Sequence, residues 1–268
     1  MKRIVILLVL MLASPPIAWS YNTAESPLTD GSAYQLNGQE WRLGFFQLDY
    51  GITNWLEVGT IHVLWLLRVS NLTTKLRVYE SGRHRVSTEI GYFQVSAQDF
   101  DATNPDIVFY VVPWTTSWSR RGDDHTVSLN LLLSQTGLRG ESSDADDVDL
   151  GGALVATSGI LRPVYEYRLS RVTALLIEGN ISLFQLVQGD ARTTFDIDER
   201  TTLDVYGNAD AEFTGDFLAN LSASFFWSWS SFNLKAGLGY GHLSLPLVNF
   251  FIPNRRMVIP SLNLYWRF

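Results

Sequence analysis

His242-Leu243-Ser244 is the pair of residues in this chain best spaced for hydrolytic chemistry. At i, i+2 on an extended strand, an imidazole and a hydroxyl share one face, so a histidine base could activate a serine nucleophile. Such a pair needs an acid to orient the imidazole, and the following segment, 256–268, contains neither Asp nor Glu. There is also no Gly-x-Ser-x-Gly nucleophile elbow. His242 and Ser244 therefore stand as weak catalytic candidates, and the chain is expected not to be an enzyme. His62, His84 and His125 have no serine partner at this spacing, and His84 and His125 fall in predicted tight turns. The acidic run Glu141-Ser-Ser-Asp-Ala-Asp-Asp-Val-Asp149 offers oxygen ligands, but it lacks the glycine and closing glutamate of a calcium-binding loop. It reads as a solvated surface loop, and no metal or cofactor is expected.

A second set of polar residues recurs at alternate positions: Lys75, Arg77, Glu89, Asn130, Glu178, Asn180, Lys235, Asn263 and Arg267. Each has an apolar neighbour on at least one side. In the final segment Val258, Pro260, Leu262, Leu264, Trp266 and Phe268 fall on one face, and Ser261, Asn263, Tyr265 and Arg267 on the other. In 72–79, Leu72, Thr74, Leu76 and Val78 oppose Thr73, Lys75, Arg77 and Tyr79. A period of two is the mark of β-strands with one apolar and one polar face.

Strands are predicted at 33–41, 41–50, 55–66, 71–80, 84–97, 106–119, 124–135, 151–168, 172–188, 212–229, 232–246 and 256–268. That makes twelve, with ten as the alternative, and Asn37-Gly38 supplies a hairpin turn for the first. Most are long enough to cross a bilayer at a tilt, for which about nine to eleven residues suffice. Short turns alternate with two long polar stretches, 135–150 and 188–212. Tight turns at one end and long loops at the other are the asymmetry of a transmembrane β-barrel. Tyr and Trp near the tight turns suit an interfacial girdle. The fold class expected is all-β: a transmembrane antiparallel barrel whose inner face carries the nine polar residues named above.

Composition agrees. Of the 268 residues 46% are hydrophobic and 18% charged, below the roughly 25% of ordinary soluble domains. Lys2-Arg3, the apolar run Ile4–Ala13 and Ala18-Trp19-Ser20 read as a secretory signal peptide cleaved after Ser20. Residues 1–20 are thus the signal and 21–268 the barrel domain. The absence of cysteine favours a bacterial envelope over a disulfide-rich secreted class. The net charge of −7 argues against nucleic acid as a partner.

With the signal, the amphipathic strands and the closing Tyr265-Trp266-Arg267-Phe268, the chain resembles Gram-negative outer-membrane β-barrel proteins of an uncharacterised family. That resemblance implies an outer-membrane location, membrane lipid around the barrel, and an insertion signal read by the barrel-assembly machinery. The signal's residues here are Leu264, Trp266 and Phe268. Residues 38–60 (GQEWRLGFFQLDYGITNWLEVGT) are similar to the first hairpin of several such families. His242-Leu243-Ser244 is similar to the His-x-Ser arrangement of outer-membrane lipid A deacylases, without the acid. The expected function is a narrow or plugged channel or transporter-like barrel for a small solute. The alternatives are a scaffold barrel that meets surface partners through its loops, and a lipid hydrolase.

Overall fold

The computed structural model describes residues 28, 31–96, 106–144, 148–198, 201–212, 219–229, 231–242 and 256–268. The expected signal peptide and its cleavage site lie outside them. Thirteen antiparallel segments form one sheet: β1 (Trp41–Gly44), β2 (Leu48–Thr53), β3 (Leu56–Thr60), β4 (Ser70–Ser81), β5 (His84–Ser96), β6 (Asp106–Arg121), β7 (His125–Asp144), β8 (Val148–Arg168), β9 (Thr173–Asp198), β10 (Thr201–Glu212), β11 (Ala219–Trp229), β12 (Phe232–His242) and β13 (Arg256–Arg267). Consecutive strands are neighbours, and β13 pairs with β1, so the sheet closes on itself. β9 pairs with β10 along its second half and with β11 along its first half. β10 and β11 therefore share one place in the ring, and the barrel has twelve strands.

The seam is tied at the chain's end. Trp41 and Phe268 exchange both backbone hydrogen bonds, each at 3.0 Å. Arg267 adds a two-pronged ion pair to Glu40, with Nε–Oε1 2.6 Å and Nη2–Oε2 3.0 Å. Closing the ring leaves no sheet edge at this end, which is what permits β-structure in lipid.

The molecule is apolar outside and polar inside. Leu72, Ile90, Trp114, Leu131, Leu221, Leu238 and Leu262 are exposed on the outer face. Ser87, Ser119, Ser128, Ser224 and Asn233 are among the most deeply buried side chains. A water-soluble protein would reverse this distribution, whereas a barrel in hydrocarbon requires it. The period-two reading of the faces is correct for β13, where Tyr265 and Arg267 are buried and Val258 and Leu262 exposed. In β4 a bulge between Arg77 and Tyr79 turns Tyr79 outward, against the expectation that it shares a face with Lys75.

Four other expectations are corrected. Residues 33–41 are not a strand: Ala33–Leu36 are buried inside the barrel, and the sheet begins only at Trp41. The predicted strand 41–50 is instead the two short strands β1 and β2, which keeps the total at twelve. The predicted strand 55–66 ends at Thr60 and is followed by a 3-10 helix, His62–Leu67, so His62 is not in mid-strand. The long stretches at 135–150 and 188–212 are largely strand, forming the tall hairpins β7–β8 and β9–β10. The acidic run 141–149 lies at the tip of the first, and residues 145–147 are outside the described part.

A candidate functional site inside the barrel

The site is built around the chain segment that precedes β1. Leu28 packs with Ala174 and Leu176 of β9, Phe226 of β11 and Tyr265 of β13 in a small apolar cluster on one inner wall. Residues 31–36 cross the lumen. Asn130 of β7 donates to the Gly31 carbonyl at 2.9 Å, and the Ala33 N–H donates to Ser119 Oγ of β6 at 2.7 Å. Lys75 of β4 donates from Nζ to the Ser32 and Tyr34 carbonyls at 3.0 and 2.6 Å. Gln35 donates to the Lys75 carbonyl at 2.9 Å, and the Leu36 N–H donates to Glu57 Oε2 of β3 at 2.9 Å. An unpaired extended segment has a full complement of backbone donors and acceptors to satisfy. Here the polar inner wall of the barrel supplies them.

The segment leaves the lumen through a tight passage. Gln39 donates to the Gly51 carbonyl at 2.6 Å, and Gly51 donates back to the Glu40 carbonyl at 2.9 Å. A Cβ on Gly51 would overlap the Asn37 carbonyl oxygen, so the backbone can approach this closely only at glycine.

Against the segment stands a charged cavity of about 280 Å3. Its lining includes three cations, Arg42, Lys75 and Arg162, and three carboxylates, Asp49, Glu57 and Glu89. Arg42 holds two of the acids, with Nε to Asp49 Oδ2 at 2.8 Å and Nη2 to Glu57 Oε1 at 3.3 Å. Gln47 adds a hydrogen bond to Asp49 at 3.0 Å. Buried charges of this kind persist when paired and hydrogen-bonded, as Arg42, Asp49 and Glu57 are here. Glu57 spans the two systems, since one oxygen takes Arg42 and the other takes the Leu36 N–H.

Of the residues predicted to line the lumen, Lys75, Glu89 and Asn130 meet at this cavity. Glu178 and Lys235 form an ion pair on a separate stretch of wall. Asn180 accepts from Arg162 at 2.9 Å and donates to Asn220 at 2.8 Å. Arg77 pairs with Glu80. Asn263 sits opposite Lys235 in register, and Arg267 ties the seam to Glu40. Leu264 and Trp266 alternate with the buried Tyr265 and Arg267, on the outer side with Phe268. His242 ends β12, its Nε2 3.4 Å from Arg256 Nε, while Ser244 lies outside the described residues. Among the described residues no cluster of metal-ligating side chains occurs.

Arg42, Asp49, Glu57 and Arg162 were not among the predicted lining residues. For Arg42, Asp49 and Glu57 alternation in 41–50 and 56–60 was available as a signal, but the misplaced first strands concealed it, whereas Arg162 lies within the strand predicted at 151–168.

No protein-family model matches this chain, and no curated protein matches it. Among solved structures, it is similar to the ferric yersiniabactin uptake receptor FyuA from Yersinia pestis at 10% identity and a TM-score of 0.41. That match covers 87% of this chain and 44% of the receptor, so the chain spans less than half of it. It is also similar to a deltaS2 mutant of the monoaromatic hydrocarbon channel TodX, at 7% identity and a TM-score of 0.25, covering 93% and 94% of the two chains.

Proposed function

We propose that this chain is an integral outer-membrane β-barrel of a Gram-negative bacterium, a plugged conduit for a small polar solute, with Leu28 and residues 31–36 as its plug. The observation that carries this reading is the course of that segment. It runs through the lumen, yet bonds to the wall mostly through single side chains of β3, β4, β6 and β7 rather than through a strand ladder. A ladder would make it a fixed part of the sheet. Side-chain tethers can be exchanged for water one by one, as a displaceable stopper requires.

The cavity beside the plug balances positive and negative side chains, which favours a small polar or zwitterionic solute over a strongly charged one. The tight-turn end and Phe268 face the periplasm in this reading, and Leu264, Trp266 and Phe268 serve the assembly machinery. The test is conductance of the signal-free protein in a planar bilayer, compared with a variant lacking residues 21–36. A near-silent parent and a steadily conducting deletion support the plug. Equal conductance from two folded proteins removes it.

A further inference from the structure

At the tight-turn end of the lumen, beyond the plug, lies a second cleft of about 430 Å3. It is lined by Arg83, Arg85, Arg121 and Arg168 together with Glu80, Asp123 and Tyr34. Four guanidiniums face two lining carboxylates, with the buried Glu166 beside them, and leave one positive charge in a chain whose net charge is −7. Arg83 is well exposed and pairs with Asp123, and Arg85 pairs through Nη2 with Glu80.

The remaining donors have no such outlet. Nη1 and Nη2 of Arg121, Nε of Arg85 and Nε of Arg168 are all buried without a hydrogen-bond partner. Arg121 and Arg85 are instead held over the Tyr34 ring, at 6.0 and 4.6 Å from its centroid. A guanidinium hydrogen left without an acceptor is unusual, because the group gives up its hydration and receives nothing in return. Four such donors belong to arginines of three strands, β5, β6 and β8, that line the same cleft. The ring face of Tyr34 holds two of the guanidiniums in position without consuming their N–H groups.

We propose that this cleft is an oxyanion-binding site for a soluble phosphate group, entered from the tight-turn end and centred on Arg85, Arg121 and Arg168. The surplus positive charge favours an anion, and donors arriving from three strands suit the several acceptor oxygens of a tetrahedral group better than the two of a carboxylate. The three arginines occupy inward-facing positions, so the ligand comes from water rather than from the surrounding lipid. Tyr34 belongs to the plug, so bound phosphate also braces the segment that stops the lumen. The site itself can be measured whether or not the barrel conducts.

The experiment is calorimetric titration of the folded, detergent-solubilised full barrel with inorganic phosphate, and separately with acetate, at constant ionic strength. Saturable phosphate binding that is at least tenfold weaker in Arg121→Gln and near normal in Arg83→Gln is the expected result, with acetate bound more weakly. Arg83→Gln controls for loss of surface charge, and circular dichroism checks that each variant is folded. Absence of saturable phosphate binding in the parent, or equal affinity in parent and Arg121→Gln, overturns the proposal. Acetate binding as tight as phosphate overturns its assignment to a phosphate group.

Discussion

Replacing Lys75 with methionine tests the plug most directly, because Lys75 spends its ammonium on the plug's own backbone. Its Nζ donates to the Ser32 and Tyr34 carbonyls, and Met keeps the length and apolar stem of the side chain. Hydrogen bonds from a charged donor contribute about 1.5–3 kcal/mol each. Water in the adjoining cavity can partly replace them, which favours the lower end, or about 3 kcal/mol for the pair. With one decade per 1.4 kcal/mol, the ratio of open to closed barrel should rise on the order of 100-fold. The assay is single-channel recording in a planar bilayer, with open probability as the readout. Glu89→Gln serves as the companion variant, since Glu89 faces the same cavity and makes none of the observed plug hydrogen bonds. It should leave open probability close to the parent's. A folded Lys75→Met barrel with parental open probability would mean that these tethers do not hold the lumen shut.

Burial raises the Tyr34 phenol above its ordinary value of 10.0, with Arg121 and Arg85 pulling the other way. The docked plug therefore favours the neutral phenol. As pH rises through 10 towards the docked-state value, ionisation should favour release, so alkaline pH increases hydrogen exchange across 31–36. Tyr34→Phe should lose that part of the pH dependence while keeping its ring beneath the arginines. Gly51→Ala should force the Asn37–Glu40 passage apart. Its melting temperature is expected to fall by several degrees, in line with about 1–3 kcal/mol for overpacking, and an unchanged value would show that the passage yields. Ser119→Ala removes the acceptor for the Ala33 N–H and should weaken plug docking by about 1–3 kcal/mol, read as faster exchange at Ala33 with the strand amides of β6 unaffected. Deleting Phe268 removes both backbone bonds to Trp41 at the seam. The expected outcome is poor assembly into membranes in cells, measured as the protein recovered in the outer-membrane fraction.

The faces of the long strands were legible because side-chain alternation is a local property. Lys75, Asn130 and Arg267 face inward, and Leu262 and Val258 outward, whatever strand lies next to them. The hairpins at 125–168 and 173–212 were only partly legible. Their upper parts, rich in Asp, Ser, Thr and Gly, carry no apolar alternation in the sequence and so read as polar loops.

That this is a β-chain with one apolar and one polar face, poor in charge for a water-soluble domain, could be read from the order of its amino acids. Both properties follow from residue type and a spacing of two. That Ala33–Leu36 fill the lumen instead of adding to the sheet came from the three-dimensional packing. An extended segment looks the same in either place, and what separates them is whether a free edge remains. Trp41 and Phe268 had already taken that edge by closing the ring. The cleft of Arg85, Arg121 and Arg168 has the same origin. Three residues far apart in the chain become neighbours because closure curves their strands around one small volume, with Tyr34 of the plug at its inner boundary.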